Sequence, residues 1–257
     1  MILKLAKNDF KTKYAGSYLG VVWAFVQPIV TVLLYFFVFQ VIFNNKAQML
    51  ASGVTAPYVV WLTAGLVPWF YFNDVVINGA QTLLTYNYLV KKVVFRIDVL
   101  PLVRGISALF VHGFFVLVLL VMCLIGGTPI APQWIQLVYY SACLFVLCLG
   151  ISYLFSAITV FFKDLVQLIN IFLQVFMWAT PIMWDMSFVE AHPVIKTILS
   201  LNPLYYIVNG YRESLFGGVW FFRHPWLTLY FWVFTGLLFW LGWTVFHRLK
   251  PHFADIL

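Results

Sequence analysis

The sequence predicts an all-α membrane protein with six transmembrane helices and both termini in the cytoplasm. Three observations lead to this fold class. Hydrophobic residues make up 64% of the 257 residues and charged residues only 9%, a composition outside the range of soluble domains. The chain contains six long tracts with almost no charge, each able to supply the roughly 20 apolar residues that cross a hydrocarbon core of about 30 Å. Most of the lysines and arginines lie on one side of these tracts.

The distribution of basic residues orients the spans. Eleven of the 15 basic residues flank the spans on one side, and four lie on the other, spread over a longer length of chain. Because positive residues collect in cytoplasmic loops, the chain is predicted to begin and end in the cytoplasm. The cytoplasmic group is Lys4, Lys7, Lys11, Lys13, Lys91, Lys92, Arg96, Arg104, Lys163, Arg248 and Lys250, and the outer group is Lys46, Lys196, Arg212 and Arg223.

The predicted spans cover residues 14–43, 58–85, 103–126, 134–162, 165–184 and 225–247. The third and fourth belong to one uncharged run. We divide it at Gly126-Gly127-Thr128-Pro129 and Pro132, because these residues do not continue a helix. The spans take up most of the chain, so residues 1–257 are predicted to form one domain of the cytoplasmic membrane with no separate soluble domain.

Two cytoplasmic segments are placed where a partner protein could bind. Residues 1–13 have the pattern of an amphipathic helix that lies in the membrane interface, although a simple orienting tag is the alternative. The apolar face of this predicted helix carries Leu3, Ala6, Phe10 and Tyr14. Residues 86–101 form a basic loop that either contacts the partner or is a solvated turn.

The long outer connection, residues 185–224, contains two short helical patterns. Asn202 followed by Pro203 is typical of a helix start, with a capping side chain before a proline at the first helical position. Gly217-Gly218 is typical of a helix end. Both helices are too short to span and are predicted to dip into or lie on the outer leaflet, where they close a pathway or act as passive anchors.

No catalytic site is evident in the sequence. It contains neither HExxH nor a Gly-rich phosphate loop, and its five histidines are scattered. The three cysteines, Cys123, Cys143 and Cys148, fall inside predicted spans and are interpreted as small apolar residues. The net charge of +7 suits loops that face anionic lipid rather than nucleic acid. We therefore expect no metal, cofactor or catalytic residue in this chain, and any uphill transport must draw on a partner or an ion gradient.

Asp74 is the one acid deep in a predicted span. Counted from the cytoplasmic helix ends, it lies at the same depth as His112 on the next span, which permits an Asp74–His112 pair. An intramembrane acid is a candidate for proton transport. Structural pairing or a hydrated crevice is the alternative.

Polar and aromatic side chains form stripes on two spans. On the fifth, the spacing places four of them, followed by Pro181, on one narrow helical face, opposite an apolar face. On the first, five recur every fourth residue. Amides exchange hydrogen bonds with sugar hydroxyls and rings stack on pyranoses, so both stripes are candidate linings for a hydroxyl-rich solute, although polar residues also hold helices together. The stripes are Gln167, Asn170, Gln174 and Trp178, and Trp23, Gln27, Thr31, Tyr35 and Phe39.

Local strings over nearly the whole chain resemble the membrane subunit of type-2 ABC exporters of polysaccharides and polyol phosphates, which include O-antigen, capsule and teichoic acid permeases. Arg96 departs from the pattern, because the family often has a proline there. The matching strings are Lys13-Tyr14, Gly16-Ser17, Leu19-Gly20, Trp23 and Pro28; Ala64-Gly65-Leu66 and Pro68-Trp69; Leu89, Lys91-Lys92, Phe95 and Leu100-Pro101; Lys163-Asp164; and Asn202-Pro203-Leu204 and Tyr211-Arg212.

The resemblance implies a half-transporter. Two copies would enclose a channel for a lipid-linked glycan, and two cytoplasmic ATPase subunits would bind ATP and Mg. The segments implied to meet the ATPase carry Lys4, Lys7, Lys11, Lys91, Lys92, Phe95 and Arg96. The implied outer gate carries Asn202, Pro203, Tyr211 and Arg212. At the inner rim, we expect Arg104 to attract the lipid pyrophosphate, which arginine binds bidentately.

Three alternatives remain open from the sequence. The same architecture could export a drug or another hydrophobic small molecule, which would not need the amide face of the fifth span. A proton-coupled carrier centred on Asp74 would work without an ATPase. A membrane glycosyltransferase is disfavoured by the lack of an acid pair or a metal site.

Overall fold

The computed structural model describes residues 1–44, 48–49, 55–91 and 96–257, and these are almost entirely helical. The α-helices are α1 (Ile2–Lys13), α2 (Trp23–Tyr35), α3 (Tyr58–Ala80), α4 (Thr82–Thr85), α5 (Asn87–Val90), α6 (Val99–Ile125), α7 (Gln136–Phe161), α8 (Leu165–Ala179), α9 (Pro193–Ser200), α10 (Pro203–Arg212), α11 (Pro225–Leu249) and α12 (Phe253–Ile256). Within these ranges the only β-structure is an antiparallel ribbon of two short strands, β1 (Gln48–Met49) and β2 (Thr55–Ala56).

Short turns of other helix types extend or connect these elements. Two of them are π-helical: Phe36–Ile42 continues α2 and Glu213–Gly217 continues α10. The others are 3-10 turns at Gly20–Val22, Pro132–Ile135, Met186–Val189, Phe221–Arg223 and Lys250–His252.

Five helical segments in the described part of the chain are long and apolar enough to cross a membrane: Gly20–Ile42, Tyr58–Ala80, Val99–Ile125, Pro132–Phe161 and Pro225–Ile256. They correspond to five of the six predicted spans. The first begins later than predicted, because residues 14–19 form an elbow in which Gly16 has a positive φ of 96°. The second ends earlier, at Ala80, and is followed by the short helices α4 and α5.

The predicted fifth span is shorter than expected. Helix α8 ends at Ala179 and has 15 residues, whereas the sequence predicted a span over 165–184. The cause is Pro181, which disfavours helical backbone at the preceding residue, and Thr180 is extended at φ −95° and ψ 129°. At about 1.5 Å per residue the helix is shorter than a typical hydrocarbon core, so six complete crossings and the sidedness of the termini stay predictions.

Helix α3 forms the centre of the bundle. Its 18-residue apolar window is 78% buried, while the window of the first span is only 6% buried. Helices α6, α7, α8 and α10 all pack against α3. A helix that is apolar on every side belongs in the interior, and Trp61, the largest of the fully buried side chains, lies on it.

Small residues bring the helices close together. A Cβ on Gly242 of α11 would overlap the backbone carbonyl of Gly150 on α7, and a Cβ on Gly79 of α3 would overlap the side chain of Ser152. Close approach of this kind replaces the hydrophobic effect as a source of helix association in lipid.

Replacing Gly210 with alanine tests this packing. A Cβ at this position of α10 would overlap the ring of Tyr140, which is 2% exposed and has little room to move. We expect a loss of about 1–3 kcal/mol in stability, measured as thermal unfolding in detergent. Gly236→Ala on α11 is the control, because its Cβ would meet no atom within 4 Å. Equal stability of Gly210→Ala and the unmodified protein would contradict the close packing of α10 on α7.

The amino-terminal helix is present as predicted, and most of its predicted apolar face contacts the protein. Helix α1 packs against α6, where Ala6 is buried and the centre of the Phe10 ring lies 5.8 Å from that of Phe110, whereas Leu3 is 69% exposed. The buried side of α1 also includes Asp9. A buried acid on this face was not anticipated from the sequence.

The two short helices predicted between the last two spans are present, and they differ in their surroundings. Helix α9 is exposed, with Val194 and Ile198 uncovered. Helix α10 is enclosed by α3, α7 and α11, and its Leu204, Ile207 and Val208 are fully buried. In this chain α10 lies inside the protein rather than on a lipid surface.

Candidate functional site

The stripe on the first span faces a cavity inside the chain. Helices α2, α3 and α6 enclose a space of about 260 Å³ that is lined by both polar and aromatic side chains. Its lining includes Trp23, Gln27, Thr31 and Tyr35 from α2, Tyr71, Asn73 and Asp74 from α3, His112 and Phe115 from α6, and Met177 from α8. Amide, hydroxyl and ring groups can both stack and hydrogen-bond there. Phe39 is not in this lining and packs instead on Tyr58, with ring centroids 5.8 Å apart.

The expected Asp74–His112 pair is wrong. The Asp74 carboxylate accepts hydrogen bonds from Lys13 and from Asn78, whose Nδ2 lies 2.8 Å away. His112 Nε2 lies 3.0 Å from the Tyr211 hydroxyl and 3.2 Å from Ser141 Oγ. Both groups line the same cavity, but their partners come from other elements, α1 for Asp74 and α7 and α10 for His112.

The polar face of α8 is uncovered in the single chain. Gln167, Gln174 and Trp178 are exposed, and Asn170 is half-buried with its Nδ2 donating to the Val166 carbonyl at 2.9 Å. Apolar residues beside this polar face are exposed as well, with Ile171 60% exposed. Helix α8 is attached to α3 and α7 along a narrow stripe that buries only Ile169 and Leu173. The amide face therefore does not join the cavity lined by α2.

Arg104 does not present a free guanidinium at the inner rim. It is 7% exposed, and its Nη1 donates to Asp9 Oδ1 at 2.8 Å. The Tyr86 hydroxyl donates to the same oxygen, and the guanidinium lies 5.8 Å from the centre of the Tyr86 ring. Burial, with the hydrogen bond to Asp9, raises the pKa of Tyr86 well above its usual range, so this phenol stays a donor at alkaline pH. The expectation that Arg104 receives a lipid pyrophosphate is corrected by this pairing.

The residues predicted to meet an ATPase are accessible where the structure describes them. Lys4, Lys7 and Lys11 are exposed on the side of α1 away from α6, and Lys91 and Arg96 are exposed at the ends of the cytoplasmic loop. Lys92 and Phe95 lie outside the described residues. Nearby, Asp98 binds Lys250 at 2.8 Å, which ties the end of the chain to the start of α6.

Two of the predicted gate residues, the half-buried Asn202 and the buried Arg212, form a clamp between α10 and the segment after α8. Asn202 caps α10 by accepting from the Leu204 amide at 2.9 Å, and its own amide donates to Thr180 Oγ1 at 2.8 Å. Arg212 donates to the carbonyls of Pro181 at 2.6 Å and Ile182 at 2.5 Å.

Arg212 of the clamp also contacts the central helix, α3. The Arg212 guanidinium lies 3.4 Å from the centre of the Trp61 ring. Gly65 makes space for it, since a Cβ there would be 2.9 Å from Nη2. Two separated strings of the sequence, Ala64-Gly65-Leu66 and Tyr211-Arg212, therefore meet at one contact.

Sequence reasoning missed Asp9, Tyr86 and the partner of Lys13. One signal was available for Asp9, the only acid among the four lysines of the first 13 residues. The partners are far apart in the chain, and no local pattern connects them.

Comparison with known proteins agrees with this architecture. Residues 2–216 match the ABC-2 type transporter family. The O-antigen export system permease protein RfbA of Klebsiella pneumoniae is 25% identical over 265 residues, covering 100% of this chain and 95% of the relative. RfbA of Myxococcus xanthus is 27% identical over 219 residues, covering 84% and 80%. The polysialic acid transport protein KpsM of Escherichia coli is 23% identical over 220 residues, covering 82% and 79%. With residues 2–216 matched to one family and several apolar helices of membrane-spanning length, this chain is a multi-pass membrane protein that belongs to the ABC-2 type transporter family.

Proposed function

We propose that this chain is the permease subunit of an ATP-driven exporter that moves a lipid-linked polysaccharide or polyol phosphate polymer across the cytoplasmic membrane. Two copies enclose the pathway. Two separate cytoplasmic subunits bind ATP and Mg and hydrolyse the nucleotide.

The observation that carries this proposal is the likeness along the full chain to export permeases. The alignment with an O-antigen export permease covers 100% of this chain and 95% of the relative. A relative named for polysialic acid transport aligns over 82% of the chain. The first name refers to export of O-antigen and the second to transport of polysialic acid.

The uncovered surfaces of α2 and α8 support the pairing of two copies. The apolar window of the first span is only 6% buried, and α8 fully buries only Ile169 and Leu173. Each helix also has a polar stripe. A second copy placed against these helices would cover the apolar faces and enclose the stripe of α8 between the two chains.

The chemistry of the stripes supports a carbohydrate cargo. Gln167 and Gln174 of α8 can exchange hydrogen bonds with hydroxyl groups, and Trp23 and Trp178 offer exposed ring faces for stacking on sugars. Closure of the ATPase pair would push α1 and the cytoplasmic loop, and α9 and α10 would open the outer end.

The partnership with an ATPase is tested by co-purification. The chain is expressed together with a candidate ABC-type ATPase subunit from the same organism and isolated through a tag on the permease. We expect a stable complex with equal numbers of both subunits, and export in cells that depends on ATP hydrolysis. A chain that is isolated alone and exports without any nucleotide-binding subunit would overturn the proposal.

A further inference from the structure

Helix α1 has two opposite charges on the side that faces the protein. Asp9 and Lys13 lie four residues apart, so they project from the same face of the helix, one turn from each other. The three other lysines of the helix, Lys4, Lys7 and Lys11, are exposed. Asp9 and Lys13 therefore differ from the basic residues that give the segment its positive charge.

Asp9 fastens α1 to the amino-terminal part of α6 through an ion pair with Arg104. Its side chain is 1% exposed and that of Arg104 is 9% exposed, and the two are 2.8 Å apart. Tyr86, which follows α4, donates to the same carboxylate oxygen. A charge buried this deeply is costly unless it is paired, so the position of Asp9 is set by Arg104 and Tyr86 together.

Lys13 fastens the other end of α1 to α3. Its ammonium group forms an ion pair with Asp74, and Asn78 donates to the same carboxylate oxygen at 2.8 Å. These side chains are partly exposed, at 22% for Lys13 and 37% for Asp74. The two ion pairs have opposite polarity: α1 supplies the acid in the first and the base in the second.

This arrangement permits only one register of α1. A shift of one helical turn along its own axis would place Lys13 where Asp9 lies, opposite Arg104, and two like charges would face each other in a buried position. The free-energy difference between the two registers therefore includes both the attraction in the observed register and the repulsion in the shifted one. Charge patterns give specificity in this way.

The covalent connection from α1 to the first span has no packed side chains in residues 15–19, which are all exposed. The elbow between them contains Gly16 at φ 96° and Gly20 at φ 52°, and a Cβ at either position would meet no atom within 4 Å. Backbone turns hold it, among them the bond from the Gly20 amide to the Ser17 carbonyl at 3.1 Å. Side-chain contacts of α1 with the protein are therefore made to α3 and α6 and not through the elbow.

We propose that Asp9 and Lys13 are positioning residues that couple α1 to the second and third spans, so that movement imposed on α1 reaches α3 and α6 through the two ion pairs rather than the first span through the elbow. This inference rests on the proposed function for the source of the movement. The attachment of α1 by these two ion pairs, which we call the fastening, is a property of the permease alone.

The first experiment measures the fastening in the purified permease. Amide hydrogen exchange of residues 2–13 is compared in the unmodified protein, Lys13→Gln and Thr12→Asp. Thr12 is exposed on the same helix, and its replacement changes the net charge by the same amount. We expect exchange in α1 to rise about tenfold in Lys13→Gln and to stay unchanged in Thr12→Asp.

Exchanging the two charges of the Lys13–Asp74 pair gives a second test of the same contact. Lys13→Asp alone should loosen α1 further, because two acids then face each other. Combining it with Asp74→Lys should restore protection to within about threefold of the unmodified protein, since the pair is re-formed with reversed polarity. Equal protection in Lys13→Gln and the unmodified protein, or no restoration in the exchanged pair, would overturn the fastening.

The second experiment measures coupling in the complete transporter. For Lys13→Gln we expect the amount exported per ATP hydrolysed to fall about tenfold while ATP hydrolysis continues, and for Thr12→Asp we expect the ratio to be unchanged. A loosened α1 with an unchanged ratio would overturn the proposal, because the ion pairs would then transmit nothing. If the unmodified chain shows no ATP-dependent export, the proposed function is wrong, and the exchange measurement still decides the fastening.

Discussion

Arg212→Ala is expected to lower the stability of the permease more than any other single substitution at its outer end. The change leaves the carbonyls of Pro181 and Ile182 without their donor and removes the cation from the face of Trp61. Each buried carbonyl left unpaired costs about 1–3 kcal/mol, so a total of about 2–6 kcal/mol is expected for the two. The purified protein should unfold on the order of 10 °C lower, and α8 should be cleaved more readily by protease near its end.

Arg223→Ala is the matched control for this prediction. Arg223 lies on the same outer segment and is exposed, so its removal should change the melting temperature by no more than about 1–2 °C. Gly65→Ala is an independent check, because it crowds the Arg212 guanidinium without changing charge. If Arg212→Ala melts at the temperature of the Arg223 control, the clamp does not hold the outer end together.

Replacing Gln167, Asn170 and Gln174 with leucine together is expected to have the largest effect on export. If these amides hydrogen-bond the hydroxyls of a moving glycan, their loss removes about 1 kcal/mol each, or about a hundredfold in export rate in total. Assembly and ATP hydrolysis should be retained, since two of the three side chains are exposed and the Asn170 amide bonds within its own helix. Export is measured as polymer that appears outside the cytoplasmic membrane per unit time.

The control for this variant uses exposed apolar positions of the same helix that lie outside the amide face. Phe172→Leu with Val175→Leu introduces the same residue type at positions that are also exposed. Export should stay within about twofold, because these positions contact lipid or the second copy and not the cargo. Full export by the leucine variant of the amide face would mean that the pathway does not need hydrogen bonds, as expected for a hydrophobic small molecule.

The sequence predicted most of the helices because their signals are local. The Asn202-Pro203 start of α10 was predicted at the right residue, and Gly218 ends the following π-helical turn in a left-handed conformation at φ 63°. The start of α3 after Pro57 was also right. The end of α8 was missed because apolar residues continue past Ala179, and only the proline at position 181 marks the break.

The interactions between helices could not be predicted in the same way. Lys11 and Lys13 look alike in the sequence, yet the first is exposed and the second is paired with Asp74, 61 residues away. Arg104 looks like an orienting charge, and its partner Asp9 lies 95 residues earlier. Charge patterns indicate the side of the membrane, but the choice of partner depends on how the helices pack.

The most direct test of the central claim is transport by defined components. The purified chain is reconstituted into vesicles with its ATPase subunits and a lipid-linked polysaccharide, and the polymer that reaches the opposite leaflet is measured. We predict translocation only when both subunits and ATP are present, and no translocation with a non-hydrolysable nucleotide. Translocation by this chain alone, or driven by a pH gradient without ATP, would contradict its role as a permease that depends on a separate motor.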